Sequence, residues 1–271
     1  MIRAFPPISA KERIIYGLVA VWILTMISVP IIRWTLGDSA LPAAVSLGVL
    51  MQVIAVCLVL INAWGVRRGL LTISVIVVLA WLTEFIGHTT GFPFGSYDYT
   101  PRLQPQVGGV PLLIPLAWLM MLPPAWALAQ VITNLTPQPP LLEERGKRAQ
   151  RVGVRFVLVT ALAFTAWDLF LDPQMVAWDL WRWEVPGAYF GIPLVNFAGW
   201  LLASALITLV ASRLAPIHQL PTRPLVIIYV ITWLLETGGL AVFWGLPGPA
   251  LVGFVAMGGM LLWAGRRTRG Q

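Results

Sequence analysis

The stretch Ala80–Trp118, AWLTEFIGHTTGFPFGSYDYTPRLQPQVGGVPLLIPLAW, decides how the rest of the chain is read. Glu84 and His88 sit near the end of an otherwise apolar run. They lie one helical turn apart, so a continuous helix presents both on one face. A loop rich in Gly, Pro and Tyr follows, and Gly109-Val110-Pro111 opens a second apolar run. The plan returns about eighty residues later, and the two stretches are expected to build one site inside a membrane protein.

Composition sets that class. Of 271 residues, 58% are hydrophobic and only 11% charged, against roughly 25% charged in a soluble domain. The single cysteine, Cys57, excludes an internal disulfide and a cysteine-based metal cluster. Eight apolar segments are expected, at 14–32, 40–64, 70–90, 110–133, 152–172, 191–212, 224–244 and 248–265. Each reaches or approaches the roughly 20 residues that cross a hydrocarbon core. The fold class is therefore an all-α polytopic transmembrane bundle, with residues 1–271 forming a single integral membrane domain. The first segment runs too long for a signal peptide and reads as an uncleaved helix.

The net charge of +7 could suggest nucleic acid, but its distribution points to membrane orientation. Fourteen basic residues fall before the first segment, at 67–68, in 145–151, at 213 and 223, and after the last segment. The alternate loops hold only Arg33, Arg102 and Arg182. The positive-inside rule then places both termini in the cytoplasm of a multi-pass cell-membrane protein. The Pro-rich basic loop 134–151 reads as a cytoplasmic connector between halves. On this topology Glu84, Asp168, Asp172 and Glu236 share the outer halves of their helices. Ionisable groups are expensive there and usually face a cavity or the bundle interior.

Two decapeptides, GVPLLIPLAW at 109–118 and GIPLVNFAGW at 191–200, repeat Gly, Pro, Leu and Trp at identical spacing. Segments 3–4 and 5–6 are thus expected to be parallel repeats about an axis along the membrane normal. Trp81-Leu82-Thr83-Glu84 against Trp233-Leu234-Leu235-Glu236 suggests segments 7–8 as a degenerate third. The plainer explanation is that Gly-x-Pro simply starts membrane helices well. Pro115 and the pair Pro123-Pro124 are expected to kink the fourth segment and open space in the bundle.

The candidate chemistry is carboxylic. Asp168 and Asp172 form an Asp-x-x-x-Asp pair, and Pro173 marks Asp172 as a helix terminus. A carboxylate there meets the negative end of the helix dipole, and burial also disfavours charge, so a neutral acid able to donate a proton is expected. Glu84 and Asp168 are expected to converge, with Asp168 the favoured donor and Asp172 positioning water. The plainer role for all three is to join helices by hydrogen bonds. His88 could relay a proton, ligate a metal or bond within the core, but no second intramembrane histidine supports a metal site. Glu236 divides evenly between site and helix contact, and Asn196 could orient water or an acid. Most of the fourteen tryptophans read as an interface belt, although Trp178, Trp181 and Trp183 fall beside the polar site and could face a cation. Tyr97, Tyr99 and Tyr189 carry the same ambiguity.

The blocks Glu84–Gly87, Gly91–Tyr99, Gly109–Pro111, Ala166–Leu169, Leu171–Met175 and Gly187–Phe197 together resemble the CruF-type carotenoid 1,2-hydratases, a family that includes the bisanhydrobacterioruberin hydratases. The resemblance covers roughly residues 80–200. It implies addition of water to the terminal double bond of an acyclic carotenoid end group without a redox cofactor. The implied substrate is lycopene, gamma-carotene or a longer homologue. The lipid bilayer and other enzymes of the pathway are the implied partners, and nucleic acid is not. Glu84, Asp168 and Asp172 lie inside the matching blocks. The chemistry agrees: the alkene is protonated at its less substituted carbon, and water captures the tertiary cation. That requires a neutral acid, an aromatic or dipolar surround and a positioned water. The rivals are a carotenoid- or quinone-binding protein or transporter, and an intramembrane prenyltransferase. The latter lacks a second aspartate-rich motif and nearby basic groups.

Overall fold

In the computed structural model, residues 10–133 and 152–269 are described. The 134–151 connector, with its share of the basic asymmetry, lies outside the described residues. The elements run α1 (Ala10–Leu36), α2 (Leu41–Thr90), β1 (Tyr97–Tyr99), β2 (Gln106–Val107), β3 (Val110–Pro111), α3 (Leu113–Thr133), α4 (Val154–Ala177), β4 (Trp181–Trp183), α5 (Leu194–Ala211), α6 (Thr222–Gly238) and α7 (Pro247–Arg269). A π-helical turn, Gly239–Phe243, extends α6. Among the described residues, seven helices are long and apolar enough to cross a membrane.

One of the seven is double. A straight helix as long as α2 would reach about 75 Å, more than twice a hydrocarbon core. Gly65 breaks it at φ 79° and ψ 163°, a region open essentially to glycine. A Cβ on Gly69 would lie 2.9 Å from the Ile61 Cα, whereas those residues sit about 12 Å apart along a continuous helix. The chain therefore reverses at Gly65, and the two arms take the places expected for segments 40–64 and 70–90. This gives eight membrane-length arms among the described residues.

α3 is the hub, buried along nearly all its length and packed against α2, α4, α6 and α7. An all-round apolar helix suits an interior position. The structure carries it through Pro123 and Pro124 without interruption. Pro124 cannot donate to the Met120 carbonyl, and the Gln52 side chain supplies Nε2 to that oxygen at 3.3 Å.

The same device corrects the expected end of α4. Pro173 does not terminate the helix, which continues to Ala177. The carbonyl that Pro173 leaves free, on Leu169, accepts the Tyr189 hydroxyl at 2.9 Å. Helices α3 and α5 in turn start later than the apolar pattern suggests, because the Gly-x-Pro segments first close tight hairpins. Val107 pairs with Val110 and Tyr189 with Ile192. The intervening Gly108-Gly109 and Phe190-Gly191 all have positive φ, as a two-residue type I′ turn requires.

These matched turns extend the decapeptide repeat into the backbone. β1 and β4 pair antiparallel with Asp98 opposite Arg182, flanked by Tyr97–Trp183 and Tyr99–Trp181. That register is two-fold symmetric. The displacement along the chain that carries Asp98 to Arg182 also carries Glu84 to Asp168 and His88 to Asp172. Trp118 and Trp200, equivalent in the decapeptides, stack at 4.7 Å with planes 17° apart. The weaker third echo keeps one shared feature, since Glu84 and Glu236 line the same cavity.

The loops 91–112 and 178–193 meet the α1–α2 and α6–α7 connections at one end of the bundle. Arg102 donates to the Asp38 carbonyl at 3.1 Å, and Trp178 meets Trp244 edge-on at 4.7 Å. At the other end, Trp64 beside the Gly65 turn donates to Pro216, and Gln130 donates to His218.

Candidate active site

Beneath the loop-covered end lies a cavity of about 410 Å³ bounded by α1, α2, α3, α4, α5, α6 and the β1–β4 pair. Its wall is overwhelmingly apolar. Nine of the fourteen tryptophans line it, which overturns the expectation that most form an interface belt. The cause is the fold: α3 and α5 bring Trp118 and Trp200 inward, and β4 turns Trp181 and Trp183 toward the bundle. Phe164 continues the aromatic wall, 4.9 Å from Trp118 and 5.2 Å from Trp200.

Carboxyl groups interrupt this wall in three places. The first is Glu84, on the last turns of the second α2 arm. Its Oε2 accepts the hydroxyls of Tyr97 at 2.6 Å and Tyr99 at 2.7 Å. Its Oε1 accepts the Trp118 indole N–H at 2.9 Å. Three donors satisfy one buried carboxylate, the arrangement that offsets desolvation of its charge. Pairing with β4 lays β1 across the helix end, which is how both tyrosines reach back to Glu84. Burial, and next the charge of Glu84, holds the Tyr97 phenol well above its ordinary range; Asp172 adds in the same direction. Tyr99 is raised for the same leading reasons. Both phenols remain protonated donors.

The second place is the acid pair of α4. Asp172 lines the cavity, whereas Asp168, fully buried, stands behind it. Asn196 on the first turn of α5 joins them, donating to Asp168 Oδ2 at 3.0 Å and to Asp172 Oδ2. The Trp181 indole donates to Asp172 Oδ1 at 2.9 Å. Asp168 Oδ1 is buried without a hydrogen-bond partner. The third is Glu236 on α6, buried at the same cavity, which Gln174 of α4 also lines.

Of the residues singled out from sequence, Glu84, Asp172, Tyr97, Tyr99, Asn196, Trp181 and Glu236 line one cavity. Asp168 touches it only through its partners. Tyr189 braces α4 through Leu169 and is not part of the wall. His88 is not part of the wall either; its Nδ1 lies 3.4 Å from the Tyr97 carbonyl and 3.8 Å from Asp98. The hydrogen bonds of Glu84 go to Tyr97, Tyr99 and Trp118, and His88 is not among its partners. Among the described residues, no three His, Cys, Asp or Glu side chains converge as a metal site would need. Sequence reasoning missed Gln52, Gln174 and the role of Trp118. A glutamine inside a membrane segment is as conspicuous as an acid, and the recurrence of Trp118 at Trp200 marked it too.

Comparison with known proteins bears on this site. No solved structure matches the chain. The bisanhydrobacterioruberin hydratase of Haloarcula japonica is 28% identical over 206 residues, covering 74% of this chain. The match spans 65% of that relative's length. The model of a family described as carotenoid biosynthesis protein matches residues 44–260, which include every cavity-lining residue of α2 to α6. With most of its length and its whole polar site inside that match, the chain belongs to the carotenoid biosynthesis protein family.

Proposed function

We propose that this membrane protein hydrates the terminal C1,2 double bond of an acyclic carotenoid end group, giving a tertiary alcohol. The observation that carries the reading is one aromatic-walled cavity presenting an acid pair, Asp172 backed by Asp168, and a separately braced carboxylate, Glu84. The hydratase name of the Haloarcula japonica relative supports the reaction type. Lycopene, gamma-carotene or a longer homologue fits the apolar wall.

Asp168 and Asp172 share the amide of Asn196 in surroundings that cannot solvate two charges, so the pair holds a proton. The Asn196 amide, shared by Oδ2 of both acids, keeps them within reach of each other for that proton. Asp172, the member facing the cavity, takes that proton and delivers it to C2: the alkene π electrons form the new C–H bond, and positive charge develops at C1. The tryptophan and tyrosine faces and the Glu84 carboxylate stabilise that charge. A water molecule forms the C1–O bond and yields one proton to Glu84. Glu84 returns that proton to the acid pair across the cavity that it and Asp172 both line. One molecule of water is consumed, and the protein ends as it began.

Production in an acyclic-carotenoid host, with product mass analysis in ¹⁸O-labelled water, tests this reading. A tertiary alcohol carrying the solvent label is expected. Label drawn from dioxygen would make the protein an oxygenase, and bound but unmodified carotenoid would make it a carrier. We further propose the orientation with both termini cytoplasmic, which reporter fusions at each end would contradict if either lay outside.

A further inference from the structure

The cavity is not closed on all sides. Ile27, Ile31 and Trp34 of α1, with Leu234 of α6 and Phe243 of the π turn, line it and are also exposed on the outer surface of the bundle. Trp34 is 64% and Leu234 54% exposed. A side chain that belongs to both surfaces marks a gap in the wall, and these five all flank the seam between α1 and α6. α1 packs chiefly on α2 and only lightly on α6. Near the loop-covered end, the seam is bridged by Trp34 edge-on to Phe243 at 5.6 Å and by the Arg33 guanidinium 5.3 Å from the Trp244 ring.

Within the seam the chain withholds side-chain volume. Gly238 lines the cavity, and a Cβ added there would meet nothing within 4 Å. Gly239 beside it begins the π turn, where Trp244 N–H returns to the Gly239 carbonyl at 3.1 Å. The opening faces hydrocarbon, because membrane-length helices form both its edges and its lips are Ile, Leu, Phe and Trp.

We propose that the α1–α6 seam is a lateral portal through which a long acyclic isoprenoid enters from the bilayer, its end group at Asp172 and Glu84 and its remaining length lying between Ile31 and Leu234. This rests on the hydratase reading for the identity of the end group. It adds a second consequence: only the end group is enclosed, so the far end of the substrate is left unread. A cavity of about 410 Å³ suits enclosure of an end group rather than a whole polyene.

The experiment has two arms. In the first, benzoylphenylalanine replaces Ile31 or Leu234 in the full-length protein, which is illuminated in membranes containing radiolabelled lycopene. Labelling that excess unlabelled lycopene suppresses is expected at both positions. It is not expected at Leu158, an exposed residue of α4 remote from the cavity. Equal labelling at all three sites, or none at the seam, overturns the portal. In the second arm, Gly238→Phe and Leu234→Trp narrow the seam, and Leu158→Trp serves as control. Narrowing is expected to cut hydration at least about tenfold, within the range set by misfit in an apolar pocket, while the control keeps wild-type activity. Wild-type rates in both narrowed variants refute the portal but leave the hydratase reading intact. If the wild type forms no alcohol, that reading falls, and the labelling arm still decides whether the seam admits the chain.

Discussion

Replacing Asp172 by asparagine separates proton donation from architecture at this site. Asp172 accepts from the Trp181 indole at Oδ1 and from the Asn196 amide at Oδ2. An indole can only donate, so the new carbonyl must stay on Trp181 and the new NH₂ must turn toward Asn196. One charge-assisted hydrogen bond is lost, at a cost of about 1.5–3 kcal/mol. Asn196 can offset part of this by presenting its own carbonyl. The chemical effect is expected to be larger. Loss of a general acid costs about 10²–10⁴-fold in rate, or roughly 2.7–5.4 kcal/mol of barrier. Detergent-purified Asp172→Asn should therefore unfold at a modestly lower temperature and still retain carotenoid, yet form alcohol at no more than about one hundredth of the wild-type rate. Chromatographic turnover and the thermal midpoint are read on the same sample. A folded, pigment-bound variant working within about tenfold of wild type would refute Asp172 as the donor.

Three further outcomes follow from other contacts. Tyr189→Phe should cost about 1–2 kcal/mol by orphaning the Leu169 carbonyl, and in a Pro173→Ala background, where an amide N–H returns, the cost should shrink to a few tenths; an undiminished cost in that double-mutant cycle would reject the substitution of hydroxyl for amide. Gly65→Ala should lower stability by about 1–3 kcal/mol because its backbone region excludes a Cβ, with turnover per folded molecule unchanged, as thermal melts and product assays would show. Trp118→Phe keeps an aromatic ring against Trp200 but withdraws a donor from Glu84, so turnover should fall by about tenfold or more; unchanged kinetics would mean that Tyr97 and Tyr99 suffice.

Much of the architecture was legible because membrane segments advertise themselves by length and composition. The Gly65 reversal was implicit in two apolar runs separated by Arg67 and Arg68. Glu84, Asp172 and Glu236 were conspicuous as costly residues in apolar helices, and one cavity receives all three. Less was legible where distant groups repair a local rule. Pro173 reads as a helix end until Tyr189, in the following loop, supplies the missing donor. The relation of Asp168 to Asp172 also depends on depth. Both lie on one face of α4, but only their distance from the β1–β4 cover decides which meets the cavity. Tryptophan composition likewise cannot tell an interface belt from a cavity wall, because each exploits the same amphipathic ring.

The two-fold register of β1 and β4 constrains how such a site could arise. At the centre of an antiparallel pair formed by two identical subunits, each residue faces its own copy. Here that centre holds Asp98 against Arg182. Identical subunits would instead have to set aspartate against aspartate, or arginine against arginine. The corresponding helix positions have parted in the same way, Glu84 and His88 in one half against Asp168 and Asp172 in the other. Covalent linkage frees each half to specialise, so a braced glutamate and a paired aspartate can occupy two-fold-related stations that an unfused assembly would be obliged to fill alike.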